Sequence, residues 1–244
     1  ATFLGRDAKL AKRLSMESGL HIITNTGNYA ALEEKFLPEY TYKESAEQLA
    51  ERWITEWEKG IGDTSIYPGI IKIGVDNGPL IPVSKKLVKA AALAHLKTGL
   101  SISGHTGDGK AAMEELEILS EHGVAPNAFR WVHAQNEKNF DYHLKAAKTG
   151  AFVEFDYIRP DNIQEYVGNV RKLRDEGYLN RILISQDAGW YRVGEPNGGK
   201  FAPYSPILKT FVPALKDAGF TQKEIDQLLI HNPRESLIIR KRKL

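Results

Sequence analysis

The sequence predicts an α/β fold built around a parallel sheet, and three observations support this prediction. Short apolar runs alternate with helical patterns along the chain and give about six strand–helix units. The runs read as strands covered on both faces, which is typical of parallel sheets flanked by helices. Several runs are followed by a histidine or an aspartate, at the strand end where α/β folds place their active sites.

The first helix is expected over 7–18, where Leu10, Ala11 and Leu14 fall on one face and Gly19 is a stop signal. A loop and then a long amphipathic helix are expected within residues 33–58. The strands are expected at 20–26, 70–75, 100–103, 129–132, 151–155 and 181–185.

The later helices have clear boundary signals. Ser84 is a plausible N-cap and Gly99 a plausible stop for one of them. Thr221 with Glu224 three residues later forms a capping box for the last helix, which is expected to end at Asn232-Pro233. The helices in this part of the chain are expected at 85–97, 110–122, 138–149, 163–176 and 206–218, followed by the one that Thr221 caps.

The chain of 244 residues reads as one domain over 1–244. A (β/α)₈ barrel takes about 250 residues and eight strand–helix units, so this sequence is short by two units. It is therefore either an open sheet or a TIM barrel whose first two strands are absent from this chain. The first residues read as the middle of an element and show no signal peptide, so we expect the natural start upstream of Ala1 and leave the compartment open between cytoplasm and periplasm.

Composition excludes several classes of protein. The chain is 42% hydrophobic and 26% charged, as expected for a soluble globular protein. Its formal net charge of +2 gives no reason to expect a nucleic-acid partner. It has no cysteine, so any metal must bind through histidine, carboxylate or a modified lysine. No apolar run reaches the roughly 18 residues of a membrane span.

Lys72 stands alone in the apolar run 69–75. A buried ammonium is costly unless an anion pairs with it or its chemistry changes. Three further side chains of metal-binding type follow other runs: His105, His133 and Asp187. Since the carboxyl ends of parallel strands meet at one edge, the four residues indicate a metal centre and therefore a hydrolase.

Each of these residues also has a purely structural interpretation. A single strand-end histidine is often a hydrogen-bonded packing residue, and a single aspartate often caps the next helix. A single strand lysine often lies at an edge or extends to solvent. The occurrence of all four at nearby strand ends makes coincidence the weaker explanation, and a generic α/β protein in which they point to different places is kept as one hypothesis.

Several segments resemble, in order and spacing, the phosphotriesterase-like family of the amidohydrolase superfamily. The segments that carry the resemblance are 2–7, 19–29, 69–73, 104–106, 132–133, 185–187 and 232–233. The resemblance extends over essentially the whole chain and implies a metal-dependent hydrolase with a (β/α)₈ barrel.

The resemblance also implies a ligand set. Lys72, carbamylated by CO₂, would bridge two divalent ions, with Zn²⁺ first and Mn²⁺ or Co²⁺ as alternatives. His105 and His133 would hold the more exposed ion. Asp187 would bind the other ion and accept a proton from the bridging hydroxide. The family also has a His-x-His pair on its first strand, and these 244 residues contain none.

Substrate-binding residues are expected in the loops. Tyr29 matches a loop tyrosine that lies over the metals in lactonase members of the family. Those members carry an arginine near the place of Tyr157, where this chain has Arg159 two residues later, which weakens a homoserine-lactone assignment. Trp190 and Arg192 follow the last strand and are expected to line a pocket for an ester with an apolar and an anionic part.

The leading hypothesis is a metal-dependent hydrolase of a small-molecule lactone, carboxylic ester or phosphoester. The alternative is a non-catalytic relative, a binding protein without a complete dinuclear centre. A homodimer is expected only because family members are often dimers.

Overall fold

The computed structural model describes residues 2–192 and 194–244. Within them, six strands form one sheet in the sequential order β1 to β6, and every neighbouring pair is parallel. The strands are β1 (Asn25–Thr26), β2 (Ile70–Val75), β3 (Ser101–Thr106), β4 (Phe129–Val132), β5 (Phe152–Phe155) and β6 (Ile182–Ile184).

Helices connect the strands. They are α1 (Ala8–Ser18), α2 (Tyr40–Lys43), α3 (Ala46–Lys59), α4 (Pro82–Thr98), α5 (Gly109–Glu121), α6 (Phe140–Thr149), α7 (Ile163–Asp175), α8 (Val212–Asp217), α9 (Gln222–Asp226) and α10 (Asn232–Leu237). The π-helical turns Ile207–Phe211 and Gln227–His231 lead directly into α8 and α10. Among the described residues, no helix is long and apolar enough to cross a membrane.

The strand order identifies the architecture. Strands that follow one another in sequence, joined by right-handed helical crossovers, place their helices on one side of the sheet. This is the arrangement of a (β/α)₈ barrel, whereas an open doubly wound sheet reverses its order at a switch point. Among the described residues β1 and β6 each pair with one strand, so the sheet is not closed. The predicted fold, a partial TIM barrel, is confirmed.

The two faces of the sheet differ in chemistry. The face toward the helices carries the apolar core, with Ile71, Ile73, Phe129 and Trp131 all fully buried. The other face carries polar side chains. On this face Lys72 of β2 pairs in register with Ser103 of β3, and Ser103 pairs with Arg130 of β4. The inner face of the barrel wall therefore places charged groups beneath its carboxyl-end mouth.

The first predicted strand was wrong in its bounds. Only Asn25–Thr26 forms a strand where 20–26 was expected, because Asn25 and Thr26 are the residues that register with β2. The apolar face of α1 is not packed away, since Leu10 is 44% and Leu14 46% exposed.

Two predicted helix boundaries were also wrong. Ser84 does not cap α4, which begins at Pro82 and leaves Ser84 buried in its first turn. Proline suits the first turn because it has no N–H to leave unpaired there. The last helix does not end at Asn232-Pro233 but continues to Leu237. The Asn232 amide donates to the carbonyls of Leu179 and Ile182, which fixes this joint beneath β6.

Candidate active site

A pocket of about 370 Å³ opens at the carboxyl-end mouth of the strands. Among the residues that line it are His105, His133, Asp156, Tyr157 and Asp187. All five lie at the end of β3 or within three residues after the end of β4, β5 or β6. The position agrees with the rule that barrel enzymes act at this end of their strands.

His105 lies near the end of β3, beside Tyr29 and His133. Its Nδ1 is 2.8 Å from the Tyr29 hydroxyl, and its ring centroid is 4.3 Å from that of His133 in an edge-on arrangement. Burial, together with the charges of His133 and Lys72, lowers the pKa of the His105 imidazole to about 3. His105 is therefore neutral at physiological pH, which is the form that binds metal ions.

His133 is held by Asp156, which follows β5 directly. The His133 Nδ1 lies 2.6 Å from Oδ1 of Asp156, and the His133 backbone N–H donates to Oδ2 at 2.7 Å. The amide of Gln135 donates to the same carboxylate at 2.7 Å. Because Asp156 accepts a hydrogen bond from the Nδ1–H of His133, the other ring nitrogen, Nε2, keeps a lone pair that can bind a metal ion.

Asp187 completes a group of possible ligand atoms. One ligand atom each from His133, Asp156 and Asp187 lie within 4.8 Å of one another, so this cluster could hold a metal ion. Burial and the charge of Asp156 raise the pKa of the Asp187 carboxyl, although His133 and Lys72 act in the opposite direction. The Arg159 guanidinium donates to the Asp187 carbonyl at 3.0 Å and so fixes the backbone of this loop.

Three of these residues have unusual backbone conformations. His133, Tyr157 and Asp187 have φ angles of 66°, 62° and 41°, in the left-handed region that residues with a side chain rarely adopt. Such conformations cost about 1–3 kcal/mol each and cluster at functional sites. Each residue follows the end of a strand, so these strained conformations change the direction of the chain at the mouth of the barrel.

Lys72 lies in the barrel wall beneath this group. Burial lowers the pKa of its amine to about 8, while Glu154, Asp156 and Asp187 favour the charged form and Arg130 opposes it. The charge of Lys72 lowers the pKa of both His105 and Asp187, so its amine acts electrostatically on the mouth residues, although Lys72 is not among the residues that line the pocket.

Gly27 holds the first strand against Lys72. Its φ is +108°, and a Cβ placed there would lie 2.1 Å from the Lys72 carbonyl oxygen. Glycine is therefore required for the backbone of the Tyr29 loop to approach the strand that carries Lys72.

The structure brings together most of the predicted residues. Tyr29, His105, His133 and Asp187 converge, and Tyr157 lines the same pocket while its side chain stays half exposed. Their roles stay predictions.

Trp190 and Arg192 are not among the residues that line the pocket. The Trp190 indole donates to the Asp187 carbonyl at 2.9 Å and is 57% exposed. Arg192 forms an exposed ion pair with Glu195 at 3.6 Å. Their substrate-binding role therefore also stays a prediction.

Sequence reasoning missed Asp156 and Gln135. Asp156 directly follows a predicted strand, so the strand-end rule that selected His105, His133 and Asp187 applied to it equally. Gln135 had no such signal, because its role depends on a short 3₁₀ turn that folds it back onto Asp156.

The model of the phosphotriesterase family matches residues 1–237. The phosphotriesterase homology protein of Escherichia coli is 34% identical over 235 residues, which is 95% of this chain and 79% of that protein. The aryldialkylphosphatase of Saccharolobus solfataricus is 27% identical, over 95% of this chain and 76% of its own length.

Solved structures give the same result. The Escherichia coli phosphotriesterase homology protein, complexed with phosphate in its active site, superimposes with a TM-score of 0.87 at 33% identity and covers 97% of this chain and 81% of its own. A lactonase from Listeria monocytogenes superimposes with a TM-score of 0.83 at 25% identity, with 97% and 79% covered. The relatives whose names state an activity are hydrolases.

Proposed function

The chain belongs to the phosphotriesterase family, and on that premise we propose that it is a metal-dependent hydrolase of a lactone, a carboxylic ester or a phosphoester. One observation carries the proposal. His105, His133 and Asp187 come from three distant stretches of chain and meet at one mouth, where the charge of Lys72 lowers the pKa of His105 and of Asp187.

The side chains at this mouth fit a divalent ion. Imidazole and carboxylate donors suit Zn²⁺, Mn²⁺ or Co²⁺, and His105 is neutral as a ligand must be. Lys72 as its carbamate, His105, His133 and Asp187 would hold two such ions. Bound there, the ions would polarise the scissile bond and lower the pKa of the attacking water.

Lys72 is suited to carbamylation by its lowered pKa. The neutral amine attacks CO₂, a nitrogen–carbon bond forms and one proton is released, which leaves an anionic carbamate. An amine with a pKa of about 8 is neutral in a far larger fraction at pH 7 than an ordinary lysine. The modification would also remove the cost of a buried cation, replacing it with an oxygen ligand.

Asp156 supports the site without being a ligand itself. Its two oxygens already accept hydrogen bonds from His133 and Gln135, so although it lies in the cluster of possible ligands, its lone pairs are largely used. A carboxylate on the outer nitrogen of a metal-binding histidine fixes its tautomer and raises its basicity. We assign this positioning role to Asp156.

Asp187 is the proton acceptor of the proposed reaction. Its carboxylate faces the pocket beside His133, within reach of a bound water. The carboxylate oxygen would take the proton of the attacking water and pass it to the leaving group. The Arg159 contact to its backbone keeps it in place.

The test is metal analysis combined with an activity panel of a lactone, a carboxylic ester and a phosphotriester. Wild-type protein should contain divalent metal, lose hydrolysis after chelation and recover it with Zn²⁺, Mn²⁺ or Co²⁺. Lys72→Ala should be inactive. A protein that no divalent ion activates on any of the three substrates would overturn the proposal.

The alternative is a non-catalytic relative with an incomplete centre. It is favoured by one observation: among the described residues the cluster of possible ligand atoms is His133, Asp156 and Asp187, and Asp156 is already held by hydrogen bonds from His133 and Gln135. It predicts at most one weakly held ion and no activity for Lys72→Ala to remove. Metal stoichiometry therefore separates the two candidates even before a substrate is known.

A further inference from the structure

The wall of the active-site pocket is unusually polar on the side of α7. This side includes Asn136, Lys138, Asn162, Glu165 and Tyr166, and no aliphatic side chain lines the pocket within the described residues. Small-molecule sites are mostly apolar with a few placed polar groups. A substrate with a long alkyl chain would find tyrosine rings and lysine methylenes on this wall but no aliphatic side chain.

Most of the polar groups on this wall are already occupied by partners inside the protein. The Asn162 amide donates to the Tyr157 carbonyl at 2.9 Å, and its oxygen accepts the Arg159 N–H at 2.8 Å. Lys138 pairs with Glu165 at 3.0 Å. These residues shape the wall, but few of their hydrogen-bonding groups are left to bind a ligand.

Tyr166 is different. Only 3% of its surface is exposed, yet it lines the pocket. Its hydroxyl makes no hydrogen bond with the described residues, and it is not among the fully enclosed polar atoms that lack a partner. The hydroxyl, neither bonded to a described residue nor fully enclosed, is therefore the polar atom that Tyr166 can offer to the pocket.

The hydroxyl has no role in folding that the structure can account for. A phenylalanine would fill the same space in α7 without leaving a polar group partly desolvated, which carries a cost. Burial and the charge of Asp156 raise the pKa of the Tyr166 phenol above its ordinary value, so it keeps its proton. It is therefore available as a hydrogen-bond donor to a ligand in the pocket.

We propose that Tyr166 is a specificity residue whose hydroxyl donates a hydrogen bond to an oxygen on the substrate, beside the bond that is cleaved. The substrate class that fits is a small hydroxylated lactone or ester, in preference to one that carries an alkyl chain. This proposal rests on the proposed hydrolase function and narrows its substrate.

The experiment uses two pairs of lactones matched in size. One pair differs on the acyl side, α-methyl-γ-butyrolactone against α-hydroxy-γ-butyrolactone. The other differs on the alcohol side, γ-ethyl-γ-butyrolactone against γ-hydroxymethyl-γ-butyrolactone. kcat/KM is measured for wild type and Tyr166→Phe by proton release. Because the intrinsic reactivity of each lactone is the same for both enzymes, it cancels from the comparison.

In at least one pair, wild type should prefer the hydroxylated lactone and Tyr166→Phe should reduce that preference about 10-fold, as expected for one lost hydrogen bond. The alkyl lactones should change less than about twofold. Tyr178→Phe is the matched control, since Tyr178 follows the opposite end of α7, about 20 Å along the helix.

The outcomes are distinct. Equal preferences in wild type and Tyr166→Phe for both pairs would overturn this inference and leave the hydrolase proposal standing. The same loss in Tyr178→Phe would also overturn it, because the effect would then be a general one. An inactive wild type with its metal restored would overturn the hydrolase proposal, and the inference with it.

Discussion

The substitution Asp156→Asn tests the positioning of His133 most sharply. It preserves the shape of a side chain that is only 1% exposed but replaces one acceptor oxygen with an N–H donor group. In the wild type, three donors converge on the carboxylate: His133 Nδ1 at 2.6 Å, the His133 backbone N–H at 2.7 Å and the Gln135 amide at 2.7 Å.

The expected loss of stability follows from these contacts. The single amide oxygen of asparagine can serve two of the three donors, so one buried N–H loses its partner at a cost of about 1–3 kcal/mol. The two bonds that are kept lose the assistance of the negative charge, which is worth about 0.5–1 kcal/mol each. We expect the free energy of unfolding of the metal-free protein to fall by about 2–5 kcal/mol.

The same change should weaken metal binding. Loss of an orienting carboxylate behind a metal-binding histidine typically reduces affinity about 10–100-fold. Chelator competition with Zn²⁺ measures this effect, and denaturant unfolding measures the first. Asp161→Asn is the control, because Asp161 is exposed and makes no side-chain hydrogen bond with the described residues. An Asp156→Asn protein with wild-type stability and Zn²⁺ affinity within twofold of wild type would refute the reasoning.

Three further predictions concern the groups around the site. Burial raises the pKa of the Glu115 carboxyl to about 8. Between pH 4.5 and 8 the folded protein keeps this proton while the unfolded chain releases it, so the free energy of unfolding of the wild type should fall as pH rises through this range. Denaturant unfolding across this range should show the fall in wild type and in Glu117→Gln, but not in Glu115→Gln. Gly27→Ala should lower the free energy of unfolding by more than about 2 kcal/mol, and the melting temperature with it, because the added Cβ would clash with the Lys72 carbonyl oxygen. Gly168→Ala is the control and should lower neither, since a Cβ there would lie in open space. Burial lowers the pKa of Lys72 from 10.5 to about 8, so metal-free wild type in CO₂-free buffer should gain stability as pH rises through that window, and a Lys72→Met protein that shows the same gain would contradict this assignment.

Much of the fold could be predicted because its signals are local. Glycine stops, capping boxes and apolar runs placed β4 at its observed bounds and α5 within a residue of them. The strand expected at 20–26 failed for a non-local reason. Its sequence favours a strand throughout, but within 20–26 only Asn25 and Thr26 are in register with β2, and Tyr29 adds an isolated bridge to Gly74.

The residues that meet at the mouth were predictable from the sequence, whereas the hydrogen bonds that support them were not. The strand-end rule and the family resemblance both selected His105, His133 and Asp187, because each leaves a strand at the same edge. The hydrogen bonds of Asp156 to Gln135 and the free hydroxyl of Tyr166 depend on how a 3₁₀ turn and α7 fold back over the mouth. No spacing in the sequence encodes those contacts.

The most direct test of the metal centre is an anomalous difference map at the zinc edge, from crystals of the protein grown with Zn²⁺ and bicarbonate. We expect anomalous peaks bonded to His105, His133 and Asp187, with density extending beyond the Lys72 amine for a carbamate. A bare Lys72 amine together with no peak at the mouth of the barrel would contradict this expectation.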